Sequence, residues 1–177
     1  YQQFYVGPRN EEAIISYLSA QKNLADGKDE LALGGKTAAN PGFLGTYNDY
    51  SGTKVGKLSV YNAGLLKFKE GKYQEAYDLL DKFSSDNKVL IALKYGAMAD
   101  CQSNRNKNEG ALSLLDKATT ASDDPYTSYY FTRKAGLVSL ALKKNAEAKK
   151  YFTTIDEKYQ DYDNGMSDSY IEMVKYY

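Results

Sequence analysis

Catalysis in a polypeptide rests on few side-chain types, and this sequence of 177 residues is poor in them, with no histidine and one cysteine, Cys101. Ser–His and Cys–His nucleophile pairs are thereby excluded, and a zinc, haem or iron–sulfur site has almost no ligands to draw on. A reactive thiol needs a neighbouring base, and no histidine is present to supply one. Cys101 is read as a buried structural thiol behaving as a small hydrophobe. Gly34-Gly35-Lys36-Thr37 imitates the tail of a phosphate-binding loop. That loop needs a glycine five residues before the lysine and a preceding buried strand, and Leu31 stands there instead. Asp123-Asp124 and Asp161-Tyr162-Asp163 fall between expected helices and read as caps and solvated turns, because no apolar pocket is implied around them. Calcium at Asp161, Asp163 and Asn164 lacks the glycine and distal glutamate of a proper loop. No catalytic residue, cofactor or metal site is expected, and the chain is read as non-enzymatic.

Recognition is the remaining kind of chemistry. The 23 basic and 23 acidic residues give zero net charge. A nucleic-acid binder needs a basic excess or stripe, so that class is set aside. Tyrosine occurs 18 times and tryptophan not at all. Amphipathic rings in that number suit contact with other proteins. No stretch approaches the roughly 18 apolar residues that a membrane span requires. One cysteine allows no intrachain disulfide, so compartment is not readable from a disulfide framework.

The elements that must position these side chains are visible as a repeat. Gly71-Lys72-Tyr73-Gln74-Glu75-Ala76 follows an apolar-periodic segment, Val60 to Phe68, and describes a helix–turn–helix hairpin. Ala76, Ala111 and Ala148 open the second helix of three such hairpins, 35 and 37 residues apart. Twelve residues before each stands another small residue, Gly64, Ala99 or Gly136, where two helices can approach closely. Four after each comes Leu80, Leu115 or Phe152, then Phe83, Ala118 or Ile155, the buried stripe of the second helix. Leu66, Cys101 and Val138 share one apolar first-helix column.

These columns resemble tetratricopeptide repeats, whose period is roughly 34 residues. Lys67 and Gln102 depart from the tyrosine that the family prefers. Asn106-Lys107-Asn108 and Lys143-Lys144-Asn145 replace the turn glycine, and Asn106 or Asn108 can still close a tight turn. The resemblance implies an all-α, right-handed α-solenoid of hairpins with a C-terminal capping helix. It also implies that the concave face formed by first helices binds polypeptide. The inward positions are then Leu58, Tyr61, Leu65 and Phe68; Leu93, Gly96, Asp100 and Ser103; and Tyr130, Arg133, Leu137 and Leu140. Tyr61 and Leu65 stand where the family's chaperone-tail binders hold a carboxylate clamp, so an apolar segment is expected instead.

Read in order, residues 1 to 9 form an extended lead-in with the apolar tip Phe4-Tyr5-Val6, and Asn10 caps a helix to about Ala25 that buries Ile14, Tyr17, Leu18 and Leu24. One domain, 1–177, is expected. It comprises a degenerate leading hairpin over 10–50 with Gly34 to Pro41 as a loop inserted between its two helices. Repeats follow over 52–86, 87–123 and 125–161, and a cap over 165–177. Ser51 and Asp124-Pro125 mark helix starts, and Asp86 and Asn87 punctuate the hairpin between them.

Several segments are similar to the YfgM-like ancillary SecYEG-translocon family of bacterial envelope proteins. They are Phe4-Tyr5-Val6, Ala20-Gln21-Lys22, Pro41-Gly42-Phe43-Leu44, Gly52-Thr53-Lys54 and Lys134-Ala135-Gly136-Leu137-Val138. The resemblance implies a repeat domain on the periplasmic side of the inner membrane, tethered by one transmembrane helix. The chain begins at Tyr1 without a methionine and is read as trimmed or mature, with the anchor upstream. The expected function is a protein–protein interaction scaffold linked to secretion or envelope quality control. The alternatives are a self-associating homodimer module, an outer-membrane lipoprotein that assists complex assembly, or a cytoplasmic location.

Overall fold

Four times along the chain a helix ends in the same turn, and that turn sets the architecture. The computed structural model describes residues 7–175; the expected Phe4-Tyr5-Val6 lead-in and the last two residues of the expected cap lie outside them. The hairpins are α1 (Gly7–Ala25) with α2 (Asp29–Gly34), α4 (Lys54–Lys69) with α5 (Tyr73–Asp81), α6 (Lys88–Ser103) with α7 (Asn108–Ala121), and α8 (Pro125–Ala141) with α9 (Asn145–Lys158). α3 (Gly42–Tyr50), α10 (Gln160–Asp163) and α11 (Met166–Met173) complete the set. No strand occurs among the described residues; the bridge pairing Thr37 with Asn40 closes a turn. The chain packs as two compact units divided between Ser85 and Asp86.

Each turn is a Schellman motif. Gly27, Gly71, Asn106 and Lys143 are its left-handed residues, with φ of 72°, 76°, 57° and 59°. Their amides donate to Leu24, Phe68, Ser103 and Leu140 carbonyls. The lysine that follows each, Lys28, Lys72, Lys107 or Lys144, donates its amide five residues back, to Asn23, Lys67, Gln102 or Ser139. Asn106 therefore closes the second expected turn, as its tolerance of left-handed backbone allows. In the last hairpin a lysine holds that conformation, not Asn145. Five residues after each left-handed residue comes Ala32, Ala76, Ala111 or Ala148, all fully buried. The leading hairpin is thus a true member of the series, and Ala20, fully buried and twelve before Ala32, is its small crossing residue.

At the crossings, a Cβ on Gly64 would lie 2.8 Å from Leu80 Cγ, and one on Gly136 would lie 2.8 Å from Phe152 Cζ. The helices touch where the first helix has no side chain to hold them apart.

The leading hairpin departs from the expected details. α1 already runs through Gly7, Pro8 and Arg9, so Asn10 is an interior exposed position and not a cap. Proline is tolerated in a first turn because its missing N–H has no intrahelical partner there. α1 buries Ala13, Ser16 and Ala20, while Ile14 and Leu18 are exposed. Its neighbours demand close approach: Ser16 Oγ lies 2.6 Å from Thr46 Oγ1, which itself donates to the Gly42 carbonyl at 2.7 Å. Ser16 is therefore the donor to Thr46.

The Gly34–Pro41 insertion lies after α2, not between the hairpin's two helices; it stops the second helix at six residues, and α3 follows it. Asn40 Oδ1 pins the loop to α1 through Ser19 at 3.1 Å and Asn23 at 3.2 Å. Phe43 of α3 then joins Ala20, Ala32, Leu33, Ala63 and Leu66 in the unit's core. The next helix is capped by Thr53, which accepts from the Gly56 amide at 2.9 Å, rather than by Ser51. Asp124 caps α8 as expected, and of the punctuating pair Asp86 and Asn87 it is Asn87 that caps α6.

Two substitutions test the turn-and-crossing frame. Gly64→Leu forces side-chain atoms into Leu80 and should lower unfolding free energy by about 1–3 kcal/mol. Lys143→Gly relieves a left-handed lysine and should raise it by about 1 kcal/mol. Denaturant midpoints at constant slope report both, and unchanged midpoints would reject the frame.

Candidate functional site

Register fixes which side chains share the exposed stripe of each first helix. Counted from the small crossing residue, the position six before it carries Ile14, Leu58, Leu93 and Tyr130, and the position one after it carries Gln21, Leu65, Asp100 and Leu137. Each of the four first helices leaves one apolar side chain of these two positions more than a third exposed: Ile14 at 43%, Leu65 at 39%, Leu93 at 39% and Tyr130 at 48%. Ile14 belongs to the set although the expectation had buried it. Ala20, twelve before Ala32, is the sequence signal that would have placed it.

In the first unit, Leu58, Tyr61 and Phe68 are half-buried and Leu65 is exposed, all along α4. Tyr61 packs on Phe83 at 5.0 Å between centroids, and Phe68 on Tyr73 at 5.2 Å. Burial pushes the Tyr61 phenol above its ordinary pKa. Asn62 Nδ2 and Gln21 Nε2 both donate to the Tyr17 hydroxyl, at 3.0 and 2.6 Å, tying α4 and α1 beside this stripe.

In the second unit, Asp100 is held by Lys134, whose Nζ lies 2.7 Å from one carboxylate oxygen and 2.8 Å from the other. Gly96 is covered by Phe131, which lies 2.2 Å from where a Cβ would stand. Tyr130 meets the same Phe131 edge-on at 5.0 Å. Leu137 and Leu140 pack against the core cluster of Tyr129, Phe152, Ile155 and Val174. The C-terminal segment builds that cover: Tyr170 of α11 stacks on Phe152 at 4.6 Å, and Tyr129 donates to the buried Asp163 at 3.3 Å. Those two leucines line a core, while Leu93 and Tyr130 remain exposed.

Arg133 is half-buried, and its Nε is buried without a hydrogen-bond partner. It sits close enough to Tyr129 to oppose the rise in that phenol's pKa, which burial causes first and the Asp163 carboxylate second. Tyr126 of α8 and Tyr162 of α10, absent from the expected groove, are exposed and lie 5.9 Å apart edge-on, with Tyr162 stacked over Tyr129. The signal for Tyr126 was the α8 spacing Tyr126, Tyr129, Tyr130, Arg133, which marks one helical face.

Elsewhere the polar groups serve packing. Burial, then the Asp100 charge, pushes the fully buried Cys101 thiol up to about 11. The cleft between α7 and α9, about 380 Å³, is lined by Glu109, Asp116, Lys144 and Tyr151 among others. Its charges are mutually engaged, with Lys144 at 2.6 Å from Glu109 and Tyr151 donating to Asp116 at 2.5 Å. No cluster of three metal-ligating side chains occurs among the described residues, and no described helix is long and apolar enough to cross a membrane.

No protein-family model and no curated protein matches the chain. Among solved structures, the crystal structure of the MamA protein, which contains tetratricopeptide repeats, is similar with a TM-score of 0.64. The match covers 93% of this chain and 81% of that one at 15% sequence identity. The fold is thus an all-α solenoid of tetratricopeptide type.

The two phenols whose pKa is raised by burial predict alkaline behaviour. Tyr61 and Tyr129 have folded pKa values above the unfolded value near 10, so the stability they contribute is complete below about pH 10 and is lost as pH rises through the folded values. Unfolding free energy should fall above that pH, and Tyr61→Phe should flatten the decline. An equal slope in parent and variant would reject the upward shift at Tyr61.

Proposed function

We propose that this chain is a non-catalytic protein-interaction scaffold whose first-helix faces receive apolar segments of other polypeptides. The observation that carries this reading is the recurrence, on each of the four first helices, of one exposed apolar side chain at the same two register positions. Exposed apolar stripes rimmed by polar residues mark contact surfaces, and side chains such as Tyr130 and Arg133 are of the types enriched where binding energy concentrates. The segments similar to the YfgM-like family support a periplasmic, membrane-tethered placement with a role in secretion or envelope quality control. The sequence upstream of Tyr1 tests that placement: an apolar span agrees with it, and a lipid-accepting cysteine points to the outer-membrane alternative.

A second reading is self-association, favoured by Ile15 and Leu18, which are 69% and 58% exposed on α1. Light scattering of the purified chain separates the two, since a concentration-independent monomer removes the homodimer.

Leu65 and Tyr130 are exposed, so Leu65→Glu and Tyr130→Glu should leave thermal unfolding within about 0.5 kcal/mol of the parent. Crosslinking in envelope extract should then recover a set of proteins with the parent that both variants lose. Equal recovery by folded variants would leave the first-helix faces without a role.

A further inference from the structure

The second unit's first-helix face carries two cations, and only one of them is matched by an anion. Lys134 is engaged by both oxygens of Asp100. Arg133, its neighbour in sequence, leaves Nε buried and unbonded. The nearby buried carboxylate, Asp163, already accepts from the Tyr129 hydroxyl at 3.3 Å and the Ser167 amide at 2.6 Å. The Nε itself is out of a ligand's reach, and it is the charge of this half-buried guanidinium that a bound carboxylate can match. Arg133 shares its face of α8 with the exposed rings Tyr130 and Tyr126, and Tyr162 lies against Tyr126. On the other side, Leu137 and Leu140 belong to a core. The open part of the face is therefore aromatic and ends at one unmatched positive charge.

We propose that this face selects polypeptide segments in which an aspartate or glutamate side chain stands beside an aromatic or large aliphatic residue. The carboxylate pairs with Arg133, and the apolar neighbour covers Tyr130 and Tyr126. The pairing is planar and charge-assisted, the arrangement in which guanidinium exceeds ammonium. The occupant is an internal side chain; a C-terminal carboxylate is the alternative that amidation of the peptide detects. This rests on the peptide-binding reading above and adds the charge preference that reading lacks.

The test is selection of a displayed random-peptide library on the full chain, followed by affinities for one selected peptide and its Asp→Asn or Glu→Gln form. The expected result is enrichment of acidic residues adjacent to aromatic or aliphatic ones, with the neutral peptide weaker by about tenfold. Arg133→Met, which keeps the stem but not the charge, should bring that ratio to about one, and Arg133→Lys should restore part of it. Amidating the peptide's C-terminus should change nothing. A merely structural arginine would weaken both peptides alike and leave their ratio intact, which overturns the proposal. So do selected peptides without acidic residues, a preference lost on amidation, or affinities independent of salt. Failure to enrich any peptide overturns the peptide-binding reading itself. If Arg133→Met does not fold, the paired peptides and their salt dependence on the parent decide the matter alone.

Discussion

The structure depends on backbones being allowed to touch. Ala20 and Ala32, Gly64 and Ala76, Ala99 and Ala111, and Gly136 and Ala148 are the small pairs of the four hairpins, all buried. A larger residue at either member would separate the helices and open voids along the whole crossing. The chain must reverse direction in a fixed number of residues for these pairs to face each other. The Schellman turn does that by placing a left-handed residue five before each alanine. Glycine occupies it twice without strain, asparagine once at small cost, and lysine once at larger cost. That Lys143 persists there shows which term wins. The strain of one residue, about 1–2 kcal/mol, is smaller than what burial of Phe152, Ile155 and Ala148 on the correct side of the turn contributes.

Successive hairpins are then held in register by polar contacts at the repeat's own spacing. In the second unit, Asp100 meets Lys134 at a separation of 34 residues, and Glu109 meets Lys144 and Asp116 meets Tyr151 at 35. Lys88 meets Asp123 in the same way. Solvent-exposed contacts of this kind contribute little to stability, so they do not hold the hairpins together. Their value is geometric: a slip by one residue would break every one of them while leaving the apolar contact partly intact. Lys134–Asp100 does this on the face that also carries Tyr130, which is why that face offers Arg133 and not Lys134 to a ligand.

The repeat was legible in the sequence because its constraint is steric and local. Three alanines, three small partners and the left-handed asparagine could all be read from residue type and spacing, and so could the cap at Asp124. What escaped was decided by neighbours distant in sequence. The insertion after Gly34 shortens α2, so α3 and its Phe43 enter the core, and α1 must present Ala13, Ser16 and Ala20 to them. An amphipathic reading of α1 alone gives the large residues Ile14 and Leu18 to the core, whereas close approach demands the small ones. Thr53 outcompetes Ser51 as a cap because Ser51 ends α3 itself. For the candidate site, stripe membership was legible in three of four hairpins, but exposure was not. Leu137 occupies the register position of Leu65, and only the fold of α10 and α11 makes one a core residue and the other a surface one.

Magnitudes bound what such a face can do. Burying a leucine or tyrosine that is already half-covered adds roughly 1 kcal/mol, about half of the 1.5–3 kcal/mol for full burial. Four such residues, even if all were engaged, supply roughly 4 kcal/mol, no more than the lower bound of about 4 kcal/mol that association itself costs. Apolar contact on the first helices is therefore not enough by itself to hold a partner. Net affinity must come from groups whose unbound state is already costly, because binding then recovers that cost. Among the first-helix groups of the second unit, Arg133 Nε and Ser139 Oγ are found buried and unbonded, and Arg133 is the charged one of the two, whereas Asp100 and Lys134 have each other. A weakly apolar, aromatic face with one unsatisfied cation suits reversible, selective engagement of many related segments better than permanent assembly with one.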